Sequence, residues 1–213
     1  MQRSGPYGAS RISRNPLRPF PVDLLDLQTQ AGCALVIGRY PRFGYDAKGG
    51  GGRAQMGSSD AEGWQALLFD PATLTIPDLD WRTTRFLGLP LPPGVAIAVH
   101  PEQLEGRWKP ASGAVQLRFR SRFRFKVAGQ QAAPDLIVDT QLVTASVQGQ
   151  RHRGQGQPLD AGGEALLVGV ATVQPSGESW FDRFLGLPDE ALALMRCRFT
   201  GDSESFKQVP ADT

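Results

Sequence analysis

The sequence predicts a mostly-β protein, an antiparallel β-sandwich or open barrel with one or two short helices, and three observations carry that expectation. Glycine (25 residues) and proline (17) together make up a fifth of the 213 residues, against an average near ~12%, which calls for many turns and therefore many short strands. Hydrophobic residues make up 40% of the chain, enough for a core and too many for wholesale disorder. Residues 115–127 alternate apolar and polar side chains almost without fault, the mark of a strand with one buried face. The expected organisation is a loosely ordered basic leader over residues 1–30, one β-rich domain over 31–200 and a polar tail over 201–213.

The leader carries Arg3, Arg11, Arg14 and Arg18 with no acidic residue among its first nineteen and no apolar segment, so it is not a secretory signal. Residues 33–40 (CALVIGRY) are the first strand candidate. In residues 41–59, the four consecutive glycines at 49–52 read as a mobile loop, because each glycine loses maximal backbone entropy on ordering. The Lys-Ser or Lys-Thr of a phosphate-cradling loop does not follow them. Segments 64–69 and 72–81 come next, separated by the turn signal Asp70-Pro71, and then the short apolar strand 95–100.

The most readable stretch is 103–148. Val115, Leu117, Phe119, Ser121, Phe123, Phe125 and Val127 share one face, and Gln116, Arg118, Arg120, Arg122, Arg124 and Lys126 share the other. At a rise of about 3.3 Å per residue the strand spans roughly 40 Å, so a twist or bulge is expected near Ser121. Placing Trp108 opposite Val115 sets Gly106 against Leu117, Leu104 against Phe119, Glu105 against Arg118 and Gln103 against Arg120. On the other side, placing Phe125 opposite Leu136 sets Phe123 against Val138, Phe119 against Leu142, Lys126 against Asp135 and Arg122 against Asp139. Apolar then meets apolar and charge meets opposite charge on both sides, as an antiparallel meander requires. Beyond it, 149–163 reads as a polar loop and 165–173 as a strand buried on both faces. Pro188-Asp189-Glu190 reads as a helix start, and 195–200 as a last strand.

Chemistry leaves few traces. HExxH, CxxC, GxSxG and Walker-type motifs are absent from the sequence, and neither His100 nor His152 has a motif around it. Cys33 and Cys197 lie far apart and suggest a reducing compartment, or at most one bridge. The acid pairs Asp78/Asp80 and Glu102/Glu105 mean little without geometry. Nothing here asks for catalysis, a cofactor or a metal. No apolar run approaches the roughly 18 residues of a membrane-spanning helix.

Two features point to binding. The cations Arg118, Arg120, Arg122, Arg124 and Lys126 repeat about every 6.7 Å along one strand face, close to the phosphate spacing of an extended nucleic-acid strand. Every Phe of that strand lies on the other face, however, and Glu105, Asp135 and Asp139 blunt the field, which argues against nucleic acid. An anionic membrane, an acidic protein surface or a merely solvated, cross-strand-paired face fits better. Second, Arg85-Phe86-Leu87-Gly88-Leu89-Pro90 recurs identically as Arg183-Phe184-Leu185-Gly186-Leu187-Pro188, each copy preceded by a tryptophan, Trp81 or Trp180. Such segments are either apolar corners folded onto the core or loop tips that dip into lipid or frame an apolar cavity.

Residues 81–125 and 166–199 (WRTTRFLGLPLPPGVAIAVHPEQLEGRW and LLVGVATVQPSGESWFDRFLGLPDEALALMRCRF among them) resemble an uncharacterised family of cyanobacterial proteins. The resemblance implies a photosynthetic organism and a thylakoid-associated or photosynthetic-complex role, and it carries no site residues. The expectation is a non-catalytic binding or assembly module. It would be cytoplasmic or peripheral to the thylakoid, docking through the Arg face and the two RFLGLP segments on an anionic membrane or a membrane-associated complex. The alternatives are a lipocalin-like carrier of a lipid, pigment or other apolar ligand, and a sheet that binds single-stranded nucleic acid.

Overall fold

Side chains that alternate in and out along the strands decide the architecture. The computed structural model describes residues 23–201. Eight strands form an antiparallel ring: β1 (Leu24–Thr29), β4 (Gly51–Ser59), β5 (Gln65–Phe69), β8 (Val95–Lys109), β9 (Ala114–Val127), β11 (Leu136–Val143), β14 (Glu164–Val173) and β15 (Asp189–Gly201). The ring closes because β15 pairs with β1, from Thr29 opposite Cys197 to Leu25 opposite Gly201. The mostly-β class is therefore as expected, and of the two forms the chain takes the barrel.

The remaining strands extend one end. β2 (Cys33–Ile37) lies end to end with β1 along β15, and β3 (Phe43–Tyr45), β6 (Thr84–Phe86) and β7 (Leu89–Pro90) follow beside it. Leu79 exchanges two backbone hydrogen bonds with Ile97, carrying segment 75–80 across to β8. The two-residue β10 (Gln130–Gln131) folds back on β9. A separate hairpin of β12 (Ser146–Gln148) and β13 (Arg153–Gln155) packs over β14, and it explains why β14 is apolar on both faces: Val168, pointing out of the barrel, is fully buried beneath it.

One end of the barrel is packed shut by Trp108, Phe69, Phe199, Val115, Leu117 and Leu159. Leu159 comes from the expected polar loop, where its N–H donates to Gly113 O at 2.8 Å. At the other end α1 (Ser179–Leu185) buries Phe181 and Leu185 against Ala133, Leu136 and Val173. There β11 and β14 diverge: their register pairs only Val143 with Val168, and the Thr140 hydroxyl bridges to Val170 O at 2.8 Å. The helix covers that gap.

Several expectations need correction. The leader ends earlier than residue 30, because Leu25, Leu27 and Thr29 alternate inward and make β1 a barrel strand; residues 1–22 and 202–213 lie outside the described residues. The glycine run is not a loose loop, since β4 begins at Gly51. A Cβ there would stand 2.0 Å from Leu27 O, so glycine is what lets β4 pass so close to β1. The helix precedes Pro188 rather than following it. Phe181 and Leu185 set its buried face, Gly186 ends it in the left-handed region at φ 75°, and Asp189 and Glu190 open β15. The loop 149–163 contains β13.

The register between β8 and β9 is the expected one at every pair named above. The irregularity falls on β8, between Pro101 and Gln103 and opposite Ser121, where Pro101 has no N–H to give the ladder. Between β9 and β11 the register is displaced by two residues: Leu136 faces Phe123, Val138 faces Ser121, Asp139 faces Arg120 and Leu142 faces Leu117. The tight turn at Ala128-Gly129 (φ 50° and 80°) is followed by β10, which pairs with the end of β9 at Lys126 and Val127, so β11 joins β9 only from Phe123.

Candidate functional site

The inward face of β9 supplies Leu117, Phe119, Phe123 and Phe125. Across the barrel, β14 and β15 offer Gly169, Ala171, Ala191 and Ala193. An eight-stranded barrel is just wide enough for side chains to fill its interior, and small residues facing large ones leave part of it unfilled. The result is a cavity of about 340 Å³.

Its lining is almost wholly hydrocarbon, and four of the hydroxyls along it are spent on the wall. Thr29 donates to Ala47 O, Thr140 to Val170 O, Tyr45 to Pro77 O and Tyr40 to Phe184 O. Burial pushes the Tyr45 phenol and the Cys197 thiol well above their usual ranges, so both stay neutral. A thiol held protonated in this way is a poor nucleophile. Cys33 and Cys197 are both free and buried, and burial also raises the Cys33 thiol. The cavity is chemically equipped to hold an apolar molecule. It reaches the surface beside Phe184, which lines it while 59% exposed.

The two copies of the hexapeptide converge on this mouth in different conformations. Residues 85–90 form the β6–β7 hairpin, with Leu87 and Gly88 at its tip (φ 52° and 83°), as a tight two-residue turn demands. Residues 183–188 form the end of α1 and the turn after it. Phe86 packs on Phe43 with ring centroids 4.8 Å apart, and Tyr40 stacks on Phe184 at 5.9 Å. Leu185 is buried, while Leu87, Leu89, Trp81, Trp180 and Phe184 are exposed. The Arg85 guanidinium donates to the carbonyl of Trp81 at 2.9 Å, and Arg183 is exposed.

The Arg ladder lies on the opposite, outer side of β9, and carboxylates occupy it. Arg118 meets Asp139 at 2.9 Å, Arg120 meets Glu102 at 3.1 Å, Arg122 meets Glu102 at 2.6 Å and Arg124 meets Asp135 at 2.9 Å. Longer contacts link Arg120 to Asp139 and Arg122 to Asp135. Asp135, Asp139 and Glu102 all have carboxyls lowered from the usual range, first by hydrogen bonds from these guanidinium groups. Lys126 ends the row with no ion pair among the described residues. Sequence reasoning overlooked the small residues of β14 and β15, whose alternation as Gly169, Ala171 and Ala191, Ala193 was the available signal, and the mouth residues Tyr40, Phe43 and Leu91.

No helix among the described residues is long and apolar enough to cross a membrane, and no group of metal-ligating side chains gathers there. Comparison with protein-family models, with curated proteins and with solved structures gives no match.

Proposed function

We propose that the protein is a carrier of a small apolar molecule, held in the barrel and exchanged at the mouth framed by Tyr40, Phe43, Leu91 and Phe184. The observation that carries this reading is the cavity itself, 340 Å³ walled by hydrocarbon and reaching the exposed Phe184. At about 24 cal/mol per Å³, forgoing side chains of that volume costs about 8 kcal/mol of packing, against a total stability of about 5–15 kcal/mol for a domain. A protein that retains such a volume gains something from it. The space lies near the lower end of ligand pockets and suits a small apolar molecule or the apolar segment of a larger one.

The paired state of Arg118, Arg120, Arg122 and Arg124 favours the cavity over the Arg face as the working site, since each guanidinium that might greet an anionic partner already holds a carboxylate. The resemblance to cyanobacterial proteins makes thylakoid lipids and pigments the first ligands to try. The test is titration of the purified protein with a neutral fluorescent phenylnaphthylamine, together with mass spectrometry of a solvent extract. Saturable blue-shifted emission at one site per chain is expected. The absence of saturable dye binding and of any extracted apolar molecule would overturn the proposal.

A further inference from the structure

We propose that the rim of the cavity mouth docks on an anionic lipid bilayer, so that the barrel loads and unloads by contact with the membrane. The inference rests on the reading of the cavity as an apolar-ligand site and adds where the ligand comes from.

Three observations converge on the rim. The first is its composition. The β6–β7 tip exposes Leu87 (71%) and Leu89 (70%), and α1 exposes Trp180 and Phe184. The β2–β3 turn joins the two: Tyr40 donates to Phe184 O at 2.6 Å, Gly186 lies against the Arg39 guanidinium, and Phe43 packs on Phe86. These apolar groups therefore flank one opening. The second is strain. Leu87 holds a left-handed backbone at φ 52° while its side chain faces outward. Asparagine or glycine would occupy that turn position more comfortably, so a large apolar group there works against stability and points to a contact outside the chain.

The third is charge. Arg39, Arg42, Arg82, Arg85 and Arg183 on these segments form no ion pair among the described residues, in contrast to the ladder arginines on the barrel wall. Three neighbouring acids are turned to other work: Asp80 accepts from the backbone of Arg82 and Thr83, Asp182 from Ser176 and Gly177, and Glu190 from Gln150, Arg151 and His152; Glu178 at the start of α1 is exposed and makes no side-chain cap hydrogen bond. Apolar tips set among unpaired arginines, with tryptophan beside them, match the headgroup layer of an anionic bilayer. An apolar ligand passing directly from lipid to cavity is never exposed to water.

The experiment is co-sedimentation of the full chain with phosphatidylglycerol vesicles and with phosphatidylcholine vesicles across a salt series. Binding to the anionic vesicles is expected, weakening as salt rises from about 0.1 to 1 M and the Debye length falls from about 10 to 3 Å. The L87N/L89N double variant removes the apolar tip and relieves the turn, and R39Q/R42Q/R183Q removes rim charge. Each should weaken vesicle binding at least tenfold, about fivefold per arginine being the order expected, while phenylnaphthylamine binding in vesicle-free solution stays as in the parent. Absent vesicle binding, or undiminished binding in both variants, would overturn the docking surface. Vesicle binding without dye binding would instead sink the ligand reading and leave the docking surface standing.

Discussion

Within the run of four glycines, a Cβ at Gly49 would meet nothing within 4 Å, whereas one at Gly51 would strike the backbone of Leu27. Both have positive φ, 90° and 148°. Gly49→Ala should therefore cost only about 1–2 kcal/mol for the left-handed backbone, and Gly51→Ala about 3 kcal/mol or more, since strain and overlap with β1 add. Urea denaturation of the two variants checks the order, and equal costs would contradict the close crossing. In the sequence the run reads as a mobile loop, on glycine's entropy cost alone. What sequence alone did not carry was the close crossing, because the approach of a second strand leaves no mark on the local pattern.

At the scale of elements, the β8–β9 register was legible because the short turn at 110–113 leaves almost no freedom between facing residues. The β9–β11 register was not. A slip of two residues keeps every side chain on its face, so Phe123 satisfies the apolar pattern equally well against Val138 or, as observed, Leu136. The hexapeptide makes the same point: six identical residues form a hairpin in one copy and a helix end in the other. Both conformations place glycine at positive φ, Gly88 at 83° and Gly186 at 75°, and the surroundings decide the rest. For the ladder, Asp135 has its carboxyl lowered mainly by the Arg124 hydrogen bond. A carboxyl lowered in the folded state contributes stability that is full above its unfolded value, about pH 4, and fades as pH falls through the folded value. The stability gap between the parent and Asp135→Asn should therefore be present at pH 7 and shrink below about pH 4. Denaturation curves across that range test it, and a gap that stays constant would contradict the pairing.

For the whole molecule, closure of the ring is what turns strand patterns into a site. The strong alternation along β9 was visible in the sequence, and so was its inward row of phenylalanines. The volume they border was not visible, because it depends on which strands face them across the barrel, and those are Gly169 and Ala171 of β14 and Ala191 and Ala193 of β15. The same closure separates two kinds of arginine that the composition could not tell apart: ion-paired ones along the wall, and ones at the mouth that form no ion pair among the described residues. The most direct measurement is dye affinity and urea stability of Ala193→Phe, which places a ring in the cavity without crossing the wall. A folded variant is expected, stabilised by about 0.5–2 kcal/mol as cavity filling commonly gives, with phenylnaphthylamine binding weakened at least tenfold. A folded variant that binds the dye as tightly as the parent would contradict the claim that the barrel interior is the ligand site.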